Sequence, residues 1–502
     1  MGPKSCGYSN VQKRFIEANP WVHGSQGEHI SLKRMLGGNI SIHDPRVQKL
    51  IPPTFETEPD RSPAVPFSRW LAVRDAHLHG RLDPSNTSGQ AMFEKFTRDD
   101  CFDLKEKMNS GAREWGEKVL KRGKFAQLLL AAGTGGRLFG YDVPEEERIK
   151  VLYKLGFQGG SVSPLEIRMR HAVWAEREFG APVRTDVCAG EESRKGIALA
   201  ADRLFKGKIP ANFRFWSKFG MPRWIPTKGQ ILRSNKFREQ MKKQGIIDEA
   251  GLERNAEEII SESGNSGDLF FDCEGRLSTK PLGQLMTLTT AAINGTLASW
   301  LRSGIEVVMV SNGEDMGSVI DPARIGAFEL SGADMMCILT DSAPGGGGPV
   351  FRDGKPILME KEVIPKSTRE QMSLKNTNTM YLKVSSLPMM LCGMFPHRFL
   401  RASASYILSA MNHRIYSRIP PLPEVKPVPV KFEVREGRRI ATTTWYAGQA
   451  SWVMGHLTHL DSVYVFARMA ASKCLLELKE PEDIPMVEEG IDRLYSGKVV
   501  AI

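Results

Sequence analysis

The sequence lacks any closely spaced pair of cysteines. Its seven cysteines are scattered along the chain, and no two of them have the spacing of a zinc site or a redox motif. This pattern favours buried thiols in a reducing compartment over a disulfide or zinc framework. The first residues, Met1 to Gly7, also lack the apolar core of a signal peptide. A cytoplasmic protein is therefore expected.

Long apolar runs and dense basic blocks are also missing. Because no run of about 18 apolar residues is present, neither a membrane span nor a membrane partner is expected. No block of lysine and arginine is interleaved with aromatic residues, so the net charge of +10 does not predict a nucleic-acid partner. A dispersed basic excess suits a small anionic ligand such as a nucleotide or a sugar phosphate. The sequence leaves the oligomeric state open.

What the sequence does contain is a strand-like run that ends in a glycine-rich turn. The apolar residues Phe125–Ala131 are followed by the turn 132–136, and then by the cation Arg137. Glycine lets the backbone turn tightly, and successive N–H groups in such a turn form a concave anion site. The spacing matches neither the P-loop nor the dinucleotide fingerprint. The pattern predicts a phosphate-binding loop, with an ordinary turn between a strand and a helix as the alternative.

Strands alternate with helices over the middle of the chain, which predicts an α/β domain with a mostly parallel central sheet. The strand-like runs are Phe125–Ala131, Val183–Ala189, Leu269–Asp272, Ile305–Val310, Ala333–Thr340 and Thr379–Val384. The helix-like runs are Pro164–Phe179, Ser193–Leu204, Gln284–Ser303 and Pro322–Leu330.

Length and composition predict two or three domains in this chain of 502 residues. Residues 1–118 read as a helical N-terminal region, with a helix over Phe93–Leu120. Residues 119–390 form the predicted catalytic domain, and residues 391–502 a smaller C-terminal domain. In the last segment, the proline-rich stretch Arg418–Pro429 is typical of an extended connector, and Leu457–Ala471 reads as a helix.

Two polar segments adjoin the predicted strands. Asn312, Glu314 and Asp315 follow an apolar strand, and two adjacent acids at a strand end suit Mg²⁺, which takes carboxylate and phosphate oxygens. Asn376-Thr377-Asn378 offers neutral donors and acceptors that suit sugar hydroxyls. An ordinary polar turn is the alternative for each segment. Between them, Asp353-Gly354 indicates a β-hairpin.

In this order, the segments resemble the UDP-sugar pyrophosphorylase family: the eukaryotic-type UTP–glucose-1-phosphate uridylyltransferases and their N-acetylglucosamine-1-phosphate relatives. The resemblance covers roughly residues 119–485. The segments that carry it are Ala132–Leu138, Pro222-Arg223, Lys228–Leu232, Lys280–Gly283, Asn312–Gly317 with Asp321-Pro322, Gly346–Glu360 with Pro365, Asn376–Asn378 and Lys479.

The resemblance implies a Rossmann-like nucleotidyltransferase core that forms a UDP-sugar and pyrophosphate from UTP and a sugar 1-phosphate, glucose 1-phosphate being favoured. The sugar phosphate would attack the α-phosphorus in line, with Mg²⁺ as the cofactor. Arg137 and Lys479 would be catalytic. The nucleotide would be bound by Ala132, Gly133, Thr134, Gly135, Gly136, Pro222 and Gly283, the sugar by Asn312, Glu360, Asn376, Thr377 and Asn378, and the metal by Glu314 and Asp315.

The sequence departs from the family pattern just after the glycine-rich turn. Where the family has Pro-Lys, this chain has Pro144 followed by the acids Glu145–Glu147. Lys150 or Lys154 is the candidate substitute for that lysine, although neither is at the expected spacing. A catalytically impaired sugar-nucleotide-binding or regulatory protein on the same scaffold is therefore the first alternative. An unrelated α/β enzyme, such as a glycosyltransferase, is the second alternative, although Glu314-Asp315 lacks the spacer of an Asp-x-Asp metal motif.

Overall fold

The structure is a computed structural model, and its chain contacts form two compact units. It describes residues 67–79, 93–133, 135–139, 148–218, 220–273, 278–281, 283–341, 347–361, 363–416, 419, 421–435 and 438–500. The first unit comprises Met1–Asn86, Phe219–Met286 and Ala404–Val453, and the second comprises Thr87–Lys218, Thr287–Ser403 and Met454–Ile502. Each unit is thus assembled from three separate stretches of the chain.

The strands are numbered in chain order over the described residues. They are β1 Phe93–Lys95, β2 Phe102–Asp103, β3 Phe125–Ala131, β4 Leu155–Phe157, β5 Gly160–Val162, β6 Arg184–Gly190, β7 Phe213–Lys218, β8 Gly220–Pro222, β9 Thr279–Pro281, β10 Val307–Asn312, β11 Met335–Asp341, β12 Gly348–Arg352, β13 Lys355–Met359, β14 Leu374–Lys383, β15 Leu422–Arg435, β16 Arg438–Ser451 and β17 Tyr464–Arg468.

The α-helices lie between these strands. They are Phe67–Leu78, Leu104–Lys107, Ser110–Lys121, Gly136–Phe139, Pro164–Phe179, Glu191–Leu204, Lys228–Arg233, Asn235–Lys243, Glu249–Ser263, Leu285–Ile293, Thr296–Arg302, Pro322–Ser331, Lys366–Arg369, Leu387–Cys392, Pro396–Phe399, Ala404–Met411, Ala471–Cys474 and Ile484–Tyr495. Every helix in the described ranges is too short or too polar to traverse a lipid bilayer.

The second unit is organised around an eight-stranded sheet in the order β2-β17-β11-β14-β10-β3-β6-β7. All neighbours in this sheet pair in parallel except β14, which is antiparallel to both β10 and β11. Every residue of β3 is buried, as expected for a parallel strand that has helices on both faces. The predicted α/β fold with a mostly parallel sheet is therefore confirmed.

The antiparallel direction of β14 matters for the position of polar residues. The parallel strands β3 and β10 end at the same edge of the sheet, at Ala131 and Asn312. Because β14 runs the other way, it begins at this edge, and its residue Lys375 pairs with Thr340 near the end of β11. One edge of the sheet thus collects the glycine-rich turn, the segment after β10 and the first residues of β14.

The helix Pro164–Phe179 shows how local sequence signals fix these elements. The hydroxyl of Ser163 caps it by accepting a hydrogen bond from the N–H of Glu166, and Gly180 ends it with a left-handed φ of 74°. Four of its apolar residues pack in the core of the unit at helical spacing: Leu165, Met169, Ala172 and Ala175. The helix begins and ends where the sequence predicted.

Several expected elements of the second unit differ in the structure. The predicted helix Phe93–Leu120 contains the short strands β1 and β2 before its helical part. The predicted helix Leu457–Ala471 is wrong, because β17 occupies its centre and pairs with β11 and β2. Tertiary pairing decides these segments, since their apolar residues fit either kind of element. The hairpin at Asp353-Gly354 is confirmed by the pairing of β12 with β13.

The first unit contains a long two-stranded ribbon, β15 paired antiparallel with β16. The predicted connector Arg418–Pro429 is therefore wrong over its second half, which belongs to β15. Pro423, Pro427 and Pro429 are four and two positions apart, so their side chains lie on the same face of the strand. The residues between them keep the N–H groups that a strand needs for pairing. The predicted strand Leu269–Asp272 forms isolated bridges instead of a continuous strand, and one of them joins Leu269 to Trp224.

Candidate active site

The glycine-rich turn lies directly after the buried strand β3, as predicted. The N–H of Gly135 donates a 2.8 Å hydrogen bond to the carbonyl oxygen of Arg148, which ties the turn to the chain beyond it. A Cβ atom placed on Gly135 would lie 2.5 Å from the ring of Phe139. The turn has no room for a side chain here, and this is the physical reason for a glycine.

A second glycine joins the turn region to the segment after β10. The N–H of Gly313 donates a 2.9 Å hydrogen bond to the carbonyl oxygen of Leu130, near the end of β3. A Cβ on Gly313 would lie 2.8 Å from a methyl carbon of Val151. This close approach places the residues that follow Gly313 beside the residues that flank Val151.

Lys150 precedes Val151 in the chain. The close approach therefore places Lys150 beside the glycine-rich turn, where its side chain is buried. It begins the short 3-10 helix Lys150–Leu152, and its Cγ atom lies 3.0 Å from the position of a Cβ on Gly135. Its ammonium nitrogen is 3.6 Å from a carboxylate oxygen of Glu314. Burial raises the pKa of the Glu314 carboxyl, and the charge of Lys150 opposes that rise.

Asp315 has a different environment from its neighbour Glu314. Its carboxylate is fully buried, and Oδ1 accepts hydrogen bonds from the backbone N–H groups of Gly317 at 2.9 Å and Leu476 at 2.8 Å. Its other oxygen accepts a 3.0 Å hydrogen bond from the hydroxyl of Ser318. Burial, with a smaller contribution from the charge of Glu477, raises the pKa of Asp315 to about 6. Asp315 thus joins two segments of the chain.

The segment held by Asp315 brings Glu477 and Lys479 to the same edge of the sheet. The Oε2 atom of Glu477 forms an ion pair with Lys479 and lies 3.6 Å from the ammonium nitrogen of Lys375. Its Oε1 atom accepts a 3.4 Å hydrogen bond from the side-chain amide of Asn312. Asn312, Lys375 and Lys479 come from three distant stretches and converge on one carboxylate.

Three of the residues predicted to contact the sugar, Asn376, Thr377 and Asn378, lie inside β14, not in a turn before it. Asn376 and Asn378 hydrogen-bond to each other, with 3.0 Å between the amide nitrogen of Asn376 and the side-chain oxygen of Asn378. Asn378 adopts a left-handed φ of 60°. The hydroxyl of Thr377 is buried and donates to the carbonyl oxygen of Ile338 at 2.8 Å. Thr377 therefore anchors the strand, while the two asparagines are only half buried.

The other predicted site residues have the following positions. Ala132 and Gly133 follow β3, Gly136 and Arg137 belong to the helix Gly136–Phe139, and Glu360 follows β13 half-buried. Pro222 lies in β8 and Gly283 follows β9, and both belong to the first unit. Thr134, the side chain of Arg137 and the acidic run Glu145–Glu147 lie outside the described residues.

Three charged residues of the site were not among the predicted functional residues: Lys150, Lys375 and Glu477. A signal for Glu477 was present, because Glu477 and Lys479 are two residues apart in the alternating run Leu476-Glu-Leu-Lys, and side chains at this spacing share a face of an extended chain. Lys150 and Lys154 were the two candidate substitutes for the lysine of the family, and only the packing of Gly313 against Val151 brings Lys150 to the turn.

Only one of the two acids predicted to bind Mg²⁺ has an environment that suits a metal ligand. Both oxygens of Asp315 already accept hydrogen bonds from the protein, so Asp315 does not fit this role. Among the described residues, Glu314 forms an ion pair with Lys150, and a carboxylate of this kind suits Mg²⁺ shared with phosphate oxygens. The described ranges contain no group of three or more His, Cys, Asp or Glu side chains arranged for a metal.

The variant Asp315→Asn tests this division of roles. An asparagine oxygen can still accept the N–H groups of Gly317 and Leu476, while the cost of burying a charge disappears. We expect an unchanged or higher melting temperature and a turnover within about threefold of the parent protein, well under one tenfold step of about 1.4 kcal/mol. Turnover is measured as pyrophosphate release at neutral pH. A loss of tenfold or more in a folded variant would instead support metal binding by Asp315.

Comparison with known proteins supports the fold at low sequence identity. No protein-family model and no curated protein sequence matches this chain. The solved UDP-N-acetylglucosamine pyrophosphorylase of Trypanosoma brucei is similar, with a TM-score of 0.59, 14% identity and coverage of 97% of this chain and 85% of its own.

Two further solved structures agree with the first. For a putative UDP-N-acetylglucosamine pyrophosphorylase of Entamoeba histolytica, the TM-score is 0.56 at 11% identity, with coverage of 80% of this chain and 88% of its own. For a UDP-glucose pyrophosphorylase mutant of Leishmania major, the TM-score is 0.52 at 12% identity, with coverage of 84% and 79%. This chain therefore has the fold of the UDP-sugar pyrophosphorylases, at a sequence identity of 11–14% to these three structures.

Proposed function

We propose that this protein is a nucleotidyltransferase that forms a UDP-sugar and pyrophosphate from UTP and a sugar 1-phosphate, with glucose 1-phosphate favoured. The observation that carries the proposal is the convergence of a glycine-rich turn and three lysines, Lys150, Lys375 and Lys479, at one edge of the sheet. The fold of the solved pyrophosphorylases supports it. A Leishmania major UDP-glucose pyrophosphorylase mutant of similar structure, with a TM-score of 0.50, was solved in complex with UDP-glucose.

The chemistry needs positioned charge more than covalent help. The sugar phosphate oxygen attacks the α-phosphorus in line, and negative charge develops on the transferred group and on the leaving pyrophosphate. Backbone N–H groups of the glycine-rich turn, other than that of Gly135, which donates to Arg148, bind phosphate oxygens. Lys150, which lies beside the turn, stabilises the transferred phosphoryl group, and Lys375 and Lys479 stabilise the anionic groups at the β14 side. Arg137 follows the turn and adds a further cation.

Most of the remaining predicted residues keep their proposed roles, whereas Asn312, a predicted sugar contact, takes a different one. Asn376, Asn378 and Glu360 bind hydroxyl groups of the sugar, and Asn312 holds Glu477 beside the lysines. Glu314 would hold Mg²⁺ together with phosphate oxygens, and the ion would neutralise charge on the phosphates. In the first unit, Pro222 and Gly283 stay proposed nucleotide contacts. A cytoplasmic location also stays a proposal.

Pyrophosphate release over a panel of nucleoside triphosphates and sugar 1-phosphates, with Mg²⁺ present, tests this function. We expect the highest turnover for UTP with glucose 1-phosphate. The alternative is a protein that binds sugar nucleotides without turnover, and the pairing of each site lysine with a glutamate favours it. Measurable binding of a UDP-sugar with no turnover for any substrate pair would establish that alternative and reject the proposed activity.

The variant Lys479→Met tests the lysine that reaches the site from the C-terminal stretch. Loss of its charge should reduce turnover at least about tenfold, or about 1.4 kcal/mol of transition-state stabilisation. Lys366→Met is the matched control, because Lys366 is an exposed lysine of the same unit whose ion-pair partner is Glu370, four residues along the chain. Equal turnover in the two variants would show that Lys479 does not contact the reacting groups.

A further inference from the structure

The first unit contains a second group of basic residues, outside the site described above. Lys280 in β9 and Lys426 in β15 both point at Glu424. Their ammonium nitrogens lie 3.8 Å and 2.6 Å from the same oxygen, Oε2. Arg223, which follows β8, donates a hydrogen bond to Gln449, and Gln449 in turn donates to Glu424. Among the described residues, two lysines thus contact this carboxylate and Arg223 lies beside them, so positive charge predominates in the group.

Neutral side chains hold this group in a fixed geometry. The amide nitrogen of Gln449 donates a 2.7 Å hydrogen bond to Oε2 of Glu424. The amide oxygen of the same glutamine accepts a 3.2 Å hydrogen bond from Nε of Arg223, and another nitrogen of Arg223 donates to the hydroxyl of Ser278 at 3.0 Å. Gln449 is almost fully buried. The cations are therefore positioned by the fold and do not depend on each other alone.

The charges in the group are strongly coupled. Burial alone would raise the pKa of Glu424, but Lys280 and Lys426 outweigh it and lower that pKa to about 2. Burial and the neighbouring Lys426 lower the pKa of Lys280 well below its usual range. The two lysines therefore repel each other although they share a carboxylate, and a second anion bound between them would reduce this repulsion.

The group is also accessible. The side chains of Lys280, Glu424 and Lys426 keep 27%, 29% and 26% of their surface exposed. An ammonium group has three N–H donors, so the contact that each lysine makes with Glu424 uses only part of its capacity. Arg223 adds a planar guanidinium, which suits the oxygens of a phosphoryl group.

We propose that Arg223, Lys280 and Lys426 form a second anion-binding site, which binds a phosphoryl group such as that of pyrophosphate. Glu424 and Gln449 hold the three cations in place, and Glu424 competes with the incoming anion for the two lysines. The proposal depends only on the geometry of the first unit and does not rest on the proposed function. Free pyrophosphate and the diphosphate of a nucleotide share the chemistry that this site recognises.

Calorimetric titration of pyrophosphate tests this proposal. The titration uses the full chain carrying Lys375→Met and Lys479→Met, so that the lysines of the second unit do not contribute. Adding Lys280→Met and Lys426→Met should weaken pyrophosphate binding at least tenfold. Lys228→Met is the matched control and should leave binding unchanged, because Lys228 in the same unit pairs with Glu253 and Glu257 on the surface.

The variant Glu424→Gln provides a test of opposite sign. It removes the competing carboxylate but keeps a hydrogen-bond acceptor, so pyrophosphate binding should become at least about threefold tighter. Unchanged binding after Lys280→Met and Lys426→Met, or weaker or unchanged binding after Glu424→Gln, would indicate a purely structural ion network and overturn the proposal. Parallel titrations with UDP-glucose identify the source of the phosphoryl group: a parallel loss of affinity indicates a nucleotide, and a loss for pyrophosphate alone indicates the free anion.

Discussion

Replacing Lys150 by methionine should lower the turnover of UTP and glucose 1-phosphate at least about a hundredfold, a loss of about 2.7 kcal/mol. Lys150 is a buried lysine packed against the glycine-rich turn. Its ammonium group attracts phosphate charge more strongly there than in water, because little water screens it. The sequence has acids at the expected lysine position after the turn, so Lys150 supplies the cation from a different point along the chain. Single-turnover and steady-state pyrophosphate release both measure the effect.

Lys154→Met is the control for this experiment. Lys154 lies four residues further on, but its side chain is 61% exposed and pairs with Glu166 on the surface. The sequence alone did not distinguish between these two lysines. If both variants lose activity to the same extent, or if only Lys154→Met does, the role given to Lys150 is wrong. Equal melting temperatures of the two variants are required for this comparison.

Replacing Arg168 by methionine should destabilise the protein by at least about 3 kcal/mol, because several buried acceptors lose their donor and each unsatisfied acceptor costs about 1–3 kcal/mol. One guanidinium nitrogen donates to the backbone carbonyls of Asp315 and Ser318, and another donates to Gln127 and Ser311 at 3.1 Å each. Methionine fills similar volume but satisfies none of these oxygens. The melting temperature, measured by circular dichroism, reports the loss.

Arg170→Met is the matched control on the same helix. Arg170 is partly exposed and forms its ion pair with Glu166, one turn away. An exposed pair of this kind contributes less than about 1 kcal/mol. A melting temperature of Arg168→Met that equals that of Arg170→Met would show that Arg168 does not support the segment after β10.

Features that depend on short-range sequence signals could be predicted. Strand β3 and its turn are specified by a continuous apolar run followed by glycines. The helix Pro164–Phe179 carries its own cap, Ser163, and its own terminator, Gly180. These signals act within a few residues, so no knowledge of the rest of the chain is needed to interpret them.

Features that depend on contacts between distant residues could not be predicted. Glu314 and Asp315 are adjacent acids and look equivalent in the sequence. Only the fold shows that Asp315 accepts the N–H of Leu476, 161 residues further along the chain, while Glu314 pairs with Lys150. In the same way, β17 is a strand because β11 and β2 offer it partners on both sides. The spacing of apolar residues indicates local helices and strands, but it does not show which distant segments pair with each other.

Glu477 makes the candidate active site selective for ligands that carry several negative charges. This carboxylate contacts both Lys375 and Lys479, so an anion that enters must replace it at one ammonium group or more. A singly charged anion exchanges one such contact for another and gains little. A triphosphate offers several oxygens and competes successfully. Abundant monovalent anions, such as chloride, should therefore leave these lysines paired, and polyphosphates should bind to them selectively.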